Sequence, residues 1–367
     1  MTWDRVWCNW NGIRLLVRAF TDYRINNSKI LWSRGWYKIA DWSGSGNFLY
    51  PAFPTRYRVL SLRYLRRRKG IIWLRLGSDP EKPELANGAL GDINTFARDV
   101  IGTFTGPVVL VTTDGDRSVP SGLPWETVMR ILADPRIVAW YSQNLDNSFV
   151  HKKLSPIPIG IDFHTRIRKG IGPRKKSILF GYAIRNSIEP KNRVLRIWSD
   201  VHLEQDLGNM VEEFPDDMGK PGAALFGTRG ELRSAVEQNR LDAVVDAPEG
   251  RLPVEKVWEI YGRYFFVISL PGHGIDCHRT WEALALGAAV ITIHSPIDPL
   301  LERYRVIFLD RVPEDNEWWR PMQSPGWLEQ ARDIVEGREP LDLTWDTWVR
   351  PMRKLLTSME HKSSVNK

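Results

Sequence analysis

Short apolar runs recurring between stretches of helical spacing constrain this chain more than any other feature. They fall at residues 71–76, 108–111, 137–141, 264–270, 289–293 and 306–309. Each is continuous rather than alternating, the pattern of strands covered on both faces in parallel sheets. Further strands are expected at 157–162, 177–182, 224–226 and 242–245. Helical spacing marks 92–104, 125–133, 190–198, 230–238, 254–261, 279–286 and 299–304, with a last helix at 345–359. Strands alternating with helices predict an α/β layer fold. A basic, glycine-bearing, apolar-poor stretch at 166–176 separates two such series. The expected organisation is therefore an N-terminal domain, residues 1–172, and a C-terminal domain, residues 173–367, whose last helix packs back on the first. Two such halves imply a central cleft, and folds of this kind bind ligands beyond the C-terminal ends of their strands.

A chain of 367 residues with 43% hydrophobic and 26% charged content can bury two cores, which excludes wholesale disorder. Two cysteines, Cys8 and Cys277, exclude a disulfide framework and a cysteine-rich zinc site. The longest apolar window, 283–293, is too short for a membrane span, and residues 1–10 mix charges and tryptophans where a signal peptide has an apolar core. The net charge of +7 is localised: residues 1–70 carry 14 Lys and Arg against Asp4, Asp22 and Asp41, which leaves −4 for the rest. That segment also holds Trp3, Trp7, Trp10, Trp32, Trp36 and Trp42. Cations interleaved with indoles suit nucleic acid, carbohydrate or an anionic surface; the competing reading is a solvated basic face over buried tryptophans.

The run most informative about chemistry begins at Ser269. Pro271-Gly272-His273-Gly274 follows a strand, and Asp276-Cys277-His278-Arg279 opens a helix. Gly272 and Gly274 let backbone approach a ligand closely, the helix start offers N–H groups to an anion, and Arg279 adds a fixed cation. Together these suit a diphosphate. Glu282, three residues after Arg279, shares its helical face and could accept the hydroxyls of a ribose. His273, Asp276 and His278 are candidate contacts to phosphate or sugar. They lack the i,i+4 pairing of helical zinc ligands, so no metal is expected there. His164 either faces the cleft or is an ordinary linker histidine.

These motifs resemble those of the exostosin-like glycosyltransferases. Strand 266–270, the loop Pro271-Gly272-His273-Gly274, then Arg279-Thr280-Trp281-Glu282-Ala283-Leu284, Gly287 and strand 289–293 are similar to that family's donor motif. Residues 180–186 with Pro190-Lys191-Asn192-Arg193 are similar to its upstream strand, asparagine-bearing loop and helix start. The resemblance implies two Rossmann-like domains of the GT-B type and transfer of a sugar from a UDP- or GDP-sugar to a hydroxyl of a glycan or glycoprotein. It also implies inversion, no required cofactor or metal, and Arg185 and Arg193 near the donor phosphates. By the same analogy, a chain without a membrane anchor suits the cytoplasm of a bacterium or of a virus-infected host cell, and nucleic acid is not an expected partner.

An inverting transfer needs a base for the acceptor proton. Asp79, Asp114, Asp116 and Asp146 all follow expected strands; Asp114 and Asp146 are the assigned candidates. Asp114-Gly115-Asp116 also supports a metal-dependent GT-A reading, in which the aspartates hold a divalent cation on the donor. A non-catalytic carbohydrate- or nucleic-acid-binding protein built on the tryptophan-rich start is the alternative from another class.

Overall fold

A computed structural model describes residues 29–43, 69–76, 93–94, 96–164, 173–200, 227–272, 274–311 and 316–365. In chain order the elements are α1 (Trp36–Ile39), β1 (Trp42–Ser43), β2 (Gly70–Arg75), β3 (Val108–Thr113), α2 (Trp125–Ala133), β4 (Ile137–Ser142) and β5 (Leu154–Pro156). Then come α3 (Pro173–Asn186), β6 (Val194–Trp198), α4 (Thr228–Glu237), β7 (Val245–Asp246), α5 (Val254–Tyr261) and β8 (Tyr264–Ile268). The series ends with α6 (His278–Ala285), β9 (Ala289–Ile293), α7 (Asp298–Leu301), β10 (Val306–Leu309), α8 (Trp327–Val335) and α9 (Trp345–Val365). The fold is mixed α/β, and packing divides it into two compact units: Met1–Ile157 with Thr344–Lys367, and Pro158–Leu343.

The first unit holds a parallel sheet of order β1-β2-β3-β4-β5. Register pairs Ile71 with Val109, Ile72 with Leu110 and Val111 with Tyr141, so continuous apolar runs lie side by side. Burial on both faces is why these strands do not alternate. Trp32 and Trp36 are buried and Trp42 is half-buried, and Trp36 meets Trp345 of α9 edge-to-face at 5.2 Å. Arg353 pairs with Asp41, and Lys69 with Glu360 at 2.6 Å. The described part of the basic N-terminal stretch thus turns its tryptophans inward and spends cations on structure. Trp3, Trp7 and Trp10 lie outside the described residues.

The second unit holds a parallel sheet of order β10-β9-β8-β6-β7. The chain passes from β6 to β7 on one side, then returns to place β8 on the other side of β6 and continues outward through β9 and β10. The strand order therefore reverses between β6 and β8. Carboxyl-end loops diverge at such a point and leave a crevice, which is where open α/β sheets take ligands. Among the described strands the first sheet winds one way and has no such reversal.

Several expected elements hold closely, among them α2, α5, β9 and β10. Three do not. Residues 177–182, expected as a strand, lie within helix α3, with Lys176 and Phe180 buried one turn apart while Ile178 and Tyr182 stay about 60% exposed. Residues 190–198, expected as a helix, are a single 3₁₀ turn (Pro190–Asn192) followed by β6. The expected helix at 92–104 is one π turn (Phe96–Val100) and one 3₁₀ turn (Ile101–Thr103). The expected strand at 224–226 lies outside the described residues. Among the described residues no helix is long and apolar enough to cross a membrane.

Gly287, just past α6, sits at φ +84°, and a Cβ there would lie 2.7 Å from Arg193 Nη2. Gly287→Ala is expected to lower the unfolding free energy by about 1–3 kcal/mol in urea denaturation. Far-UV circular dichroism should stay unchanged. A variant as stable as its parent would contradict the packing described.

Candidate functional site

The reversal point is built from three segments of the second unit. Strand β6 runs into Ser199 and Asp200, β8 runs into the loop that opens α6, and the first turn of α4 brings Arg229 against that loop. Arg229 Nε donates to the Pro271 carbonyl at 2.7 Å and Nη2 to the Leu270 carbonyl at 3.1 Å. A Cβ on Gly272 would lie 2.5 Å from the same guanidinium, so glycine there is what allows Arg229 to lie flat on the loop. Cys277 Sγ donates to the Leu270 carbonyl at 3.2 Å, and the Ser269 and Thr280 hydroxyls bond at 2.8 Å, closing the loop on itself.

Arg279, in the first turn of α6, reaches back to β6. Its Nε donates to Asp200 Oδ1 at 2.8 Å, and both side chains are only 12–13% exposed. The Tyr261 hydroxyl donates to the same carboxylate at 2.9 Å. Burial works against the charge of Arg279, but Asp200 and Tyr261 outweigh it and hold the guanidinium above its usual range. Burial shifts Tyr261 well above the usual phenol range, and Asp200 adds to that. Arg229 moves the other way: burial lowers it, opposed by Cys277 and aided by the like charge of Arg279. Two fixed guanidiniums, one on the loop after β8 and one on Asp200, thus come from neighbouring helix starts. Together with the N-terminal end of α6, guanidiniums held in this way suit an anion carrying more than one charge.

The remaining residues of the α6 start have a different task. Asp276 Oδ2 accepts the Ile159 N–H at 2.7 Å, and its Oδ1 accepts the Trp281 indole N–H at 2.7 Å. His278 Nδ1 lies 2.6 Å from the Gly160 carbonyl. Glu282 accepts the Asp162 N–H at 3.1 Å and the Trp258 indole N–H at 3.0 Å. Three side chains of one helix start thus hold the backbone of 159–162 along its length. Burial pushes Asp276 up to about 6, against these hydrogen bonds. Burial and the neighbouring Asp162 carboxylate also raise Glu282.

The structure gathers Gly272, Gly274, Asp276, His278, Arg279 and Glu282 in one region; His273 lies outside the described residues. It does not bring Arg193 there. Arg193 stands at the N-terminal end of β6, the opposite end of the sheet, and donates to the carbonyls of Ile188, Tyr261, Tyr264 and Leu286. Burial lowers it to about 10. Arg185, exposed in the last turn of α3, precedes that same strand start. Arg229 and Asp200 are the residues that sequence reading missed. Asp200 follows β6, a strand whose sequence has helical spacing, and only Thr228-Arg229-Gly230 at a helix start marks Arg229.

In the first unit, Asp114 ends β3 at φ +63° and its carboxylate takes Arg34 Nε at 2.9 Å and also Arg75. The Gly115 carbonyl accepts Gln143 and Asn144. Two guanidiniums make an anion's environment, and a divalent cation on Asp114 would have to displace them. Asp146 is fully buried and caps the Ser121 and Ser148 N–H groups and the Ser148 hydroxyl. Both aspartates therefore act as structural acceptors, and Asp79 lies outside the described residues.

No protein-family model matches the sequence, and no curated protein matches it. Among solved structures, the chain is similar to the crystal structure of an alpha,alpha-trehalose-phosphate synthase (UDP-forming) from Burkholderia vietnamiensis. The likeness covers 85% of this chain and 78% of that one at 11% identity and a TM-score of 0.37. A likeness that loose assigns neither fold family nor activity.

Glu282→Ala would strand two buried donors, the Asp162 N–H and the Trp258 indole. Its unfolding free energy should fall by about 2–4 kcal/mol, read by denaturant titration of tryptophan fluorescence. A loss below the error of that titration would show that the carboxylate does not carry these bonds.

Proposed function

We propose that the protein is a glycosyltransferase whose second unit binds the diphosphate of a nucleotide-sugar at the reversal between β6 and β8. One observation carries the reading: from the first turns of two different helices, Arg229 lies on the loop after β8 and Arg279 on Asp200 at the end of β6, so two guanidiniums flank the point where the strand order reverses. A leaving nucleoside diphosphate needs charge stabilisation that strengthens as the bond to the sugar breaks, and fixed guanidiniums beside a helix N-terminus supply it. Gly272 and Gly274 allow the loop backbone close to the phosphates.

The reaction class follows from the resemblance of 266–293 to the exostosin-like donor motif. The bond between the anomeric carbon and the diphosphate oxygen breaks, a bond from that carbon to an acceptor hydroxyl oxygen forms with inversion, and the hydroxyl proton leaves to a base. The donor is a UDP- or GDP-sugar, the acceptor a glycan or glycoconjugate, and the overall plan GT-B. With arginines to meet the diphosphate, donor binding needs no divalent metal. The environment of Asp114 favours this over the GT-A alternative. Glu282, whose two oxygens already hold buried donors, supports the site by fixing the 159–162 backbone, a role that replaces the ribose contact expected from sequence.

Calorimetric titration with UDP and GDP in chelator tests the reading. One nucleotide should bind saturably, and Arg279→Gln should weaken it about tenfold or more, in line with loss of a charge-assisted contact of about 1.5–3 kcal/mol. Circular dichroism should report a folded variant. Absence of binding to the parent, or binding untouched by the substitution, would reject the site.

A further inference from the structure

A second cluster in the same unit has chemistry that the donor reading does not use. Asp162, His164 and His278 each offer one ligand atom, and these atoms lie within 4.8 Å of one another. All three side chains are half-buried, so the cluster is sheltered yet reachable by water. Asp162 Oδ1 and His164 Nδ1 are 3.3 Å apart. Two ligands of a tetrahedral zinc ion with bonds of about 2.0–2.1 Å are separated by about 3.4 Å. The His164 and His278 rings are 5.3 Å apart, centroid to centroid.

The surroundings match what orients metal ligands elsewhere. His278 Nδ1 is 2.6 Å from the Gly160 carbonyl, and a proton placed there leaves Nε2 with its lone pair for a metal. Lys176, fully buried, donates to the Asp162 carbonyl at 3.0 Å and lies 3.3 Å from Oδ2. That fixes the carboxylate while Oδ1 faces His164. The Lys176 charge is met by Asp162, and Glu282 lies close enough to both Asp162 and His278 to interact with each. The ligands also pair as a chain segment should: Asp162 and His164 are two residues apart, and His278 approaches from the start of α6.

We propose that Asp162, His164 and His278 form a zinc-class divalent metal site with two nitrogen ligands, one oxygen ligand and an open fourth position. The ion ties residues 162–164 to the first turn of α6. The inference stands apart from the donor site, whose nucleotide titration is carried out in chelator.

The test uses the full chain, stripped with chelator and then dialysed, titrated with Zn²⁺ by calorimetry and with Co²⁺ by visible absorption. One equivalent should bind, with the intense visible bands of tetrahedral Co²⁺. His164→Ala and the near-isosteric Asp162→Asn should each weaken binding by about tenfold or more. His294→Ala, which removes an exposed histidine beside Asp298 and Asp310, should leave binding unchanged. The proposal is overturned if the parent binds neither ion saturably, if folded Asp162→Asn binds as the parent does, or if His294→Ala abolishes binding.

Discussion

The ion pair between Arg279 and Asp200 is the contact on which the site depends. It joins the first turn of α6 to the end of β6 across the point where the strand order reverses, and Tyr261 holds the same carboxylate from α5. A buried charge pair of this kind gives little net stability, because desolvation offsets the attraction, but breaking it by removing one partner is costly. Its consequence is positional: the α6 start, and the loop before it, have one place to be. Arg229 then lies across that loop, where the like charge of Arg279 is felt.

Around this pair the helix start divides its labour by residue. Arg279 faces the end of β6, while Asp276, His278 and Glu282 turn to the backbone of 159–162. That segment carries polar groups into a buried setting, where an unmet N–H is expensive. Side-chain carboxylates meeting those groups explain why acids sit beside a region otherwise suited to anions. His164, two residues beyond Asp162, and His278 of α6 gather around that aspartate.

How much of this was legible in the sequence varied by element. The run from β8 through α6 to β9 was readable because a buried strand, a glycine loop and an amphipathic helix each leave a local pattern. α3 was not, because its apolar residues are spread around the helix, with Ile178 and Tyr182 exposed, and so resemble a continuous strand. β6 was hidden behind Pro190, which starts a single 3₁₀ turn rather than a helix. Asp200 and Arg229 were invisible as site residues, since their partners lie 79 and about 42 positions away and no local spacing encodes such pairings. Arg193 shows the converse: its place beside a family-like motif suggested phosphate, yet the strand topology puts it at the far end of the sheet.

The central claim, that the reversal between β6 and β8 receives a nucleoside diphosphate, is tested most directly by amide hydrogen exchange with and without saturating UDP or GDP. The account predicts slowed exchange confined to peptides spanning 227–233 and 269–281. Unchanged exchange there, or protection confined to the unit built on β1–β5, would contradict it.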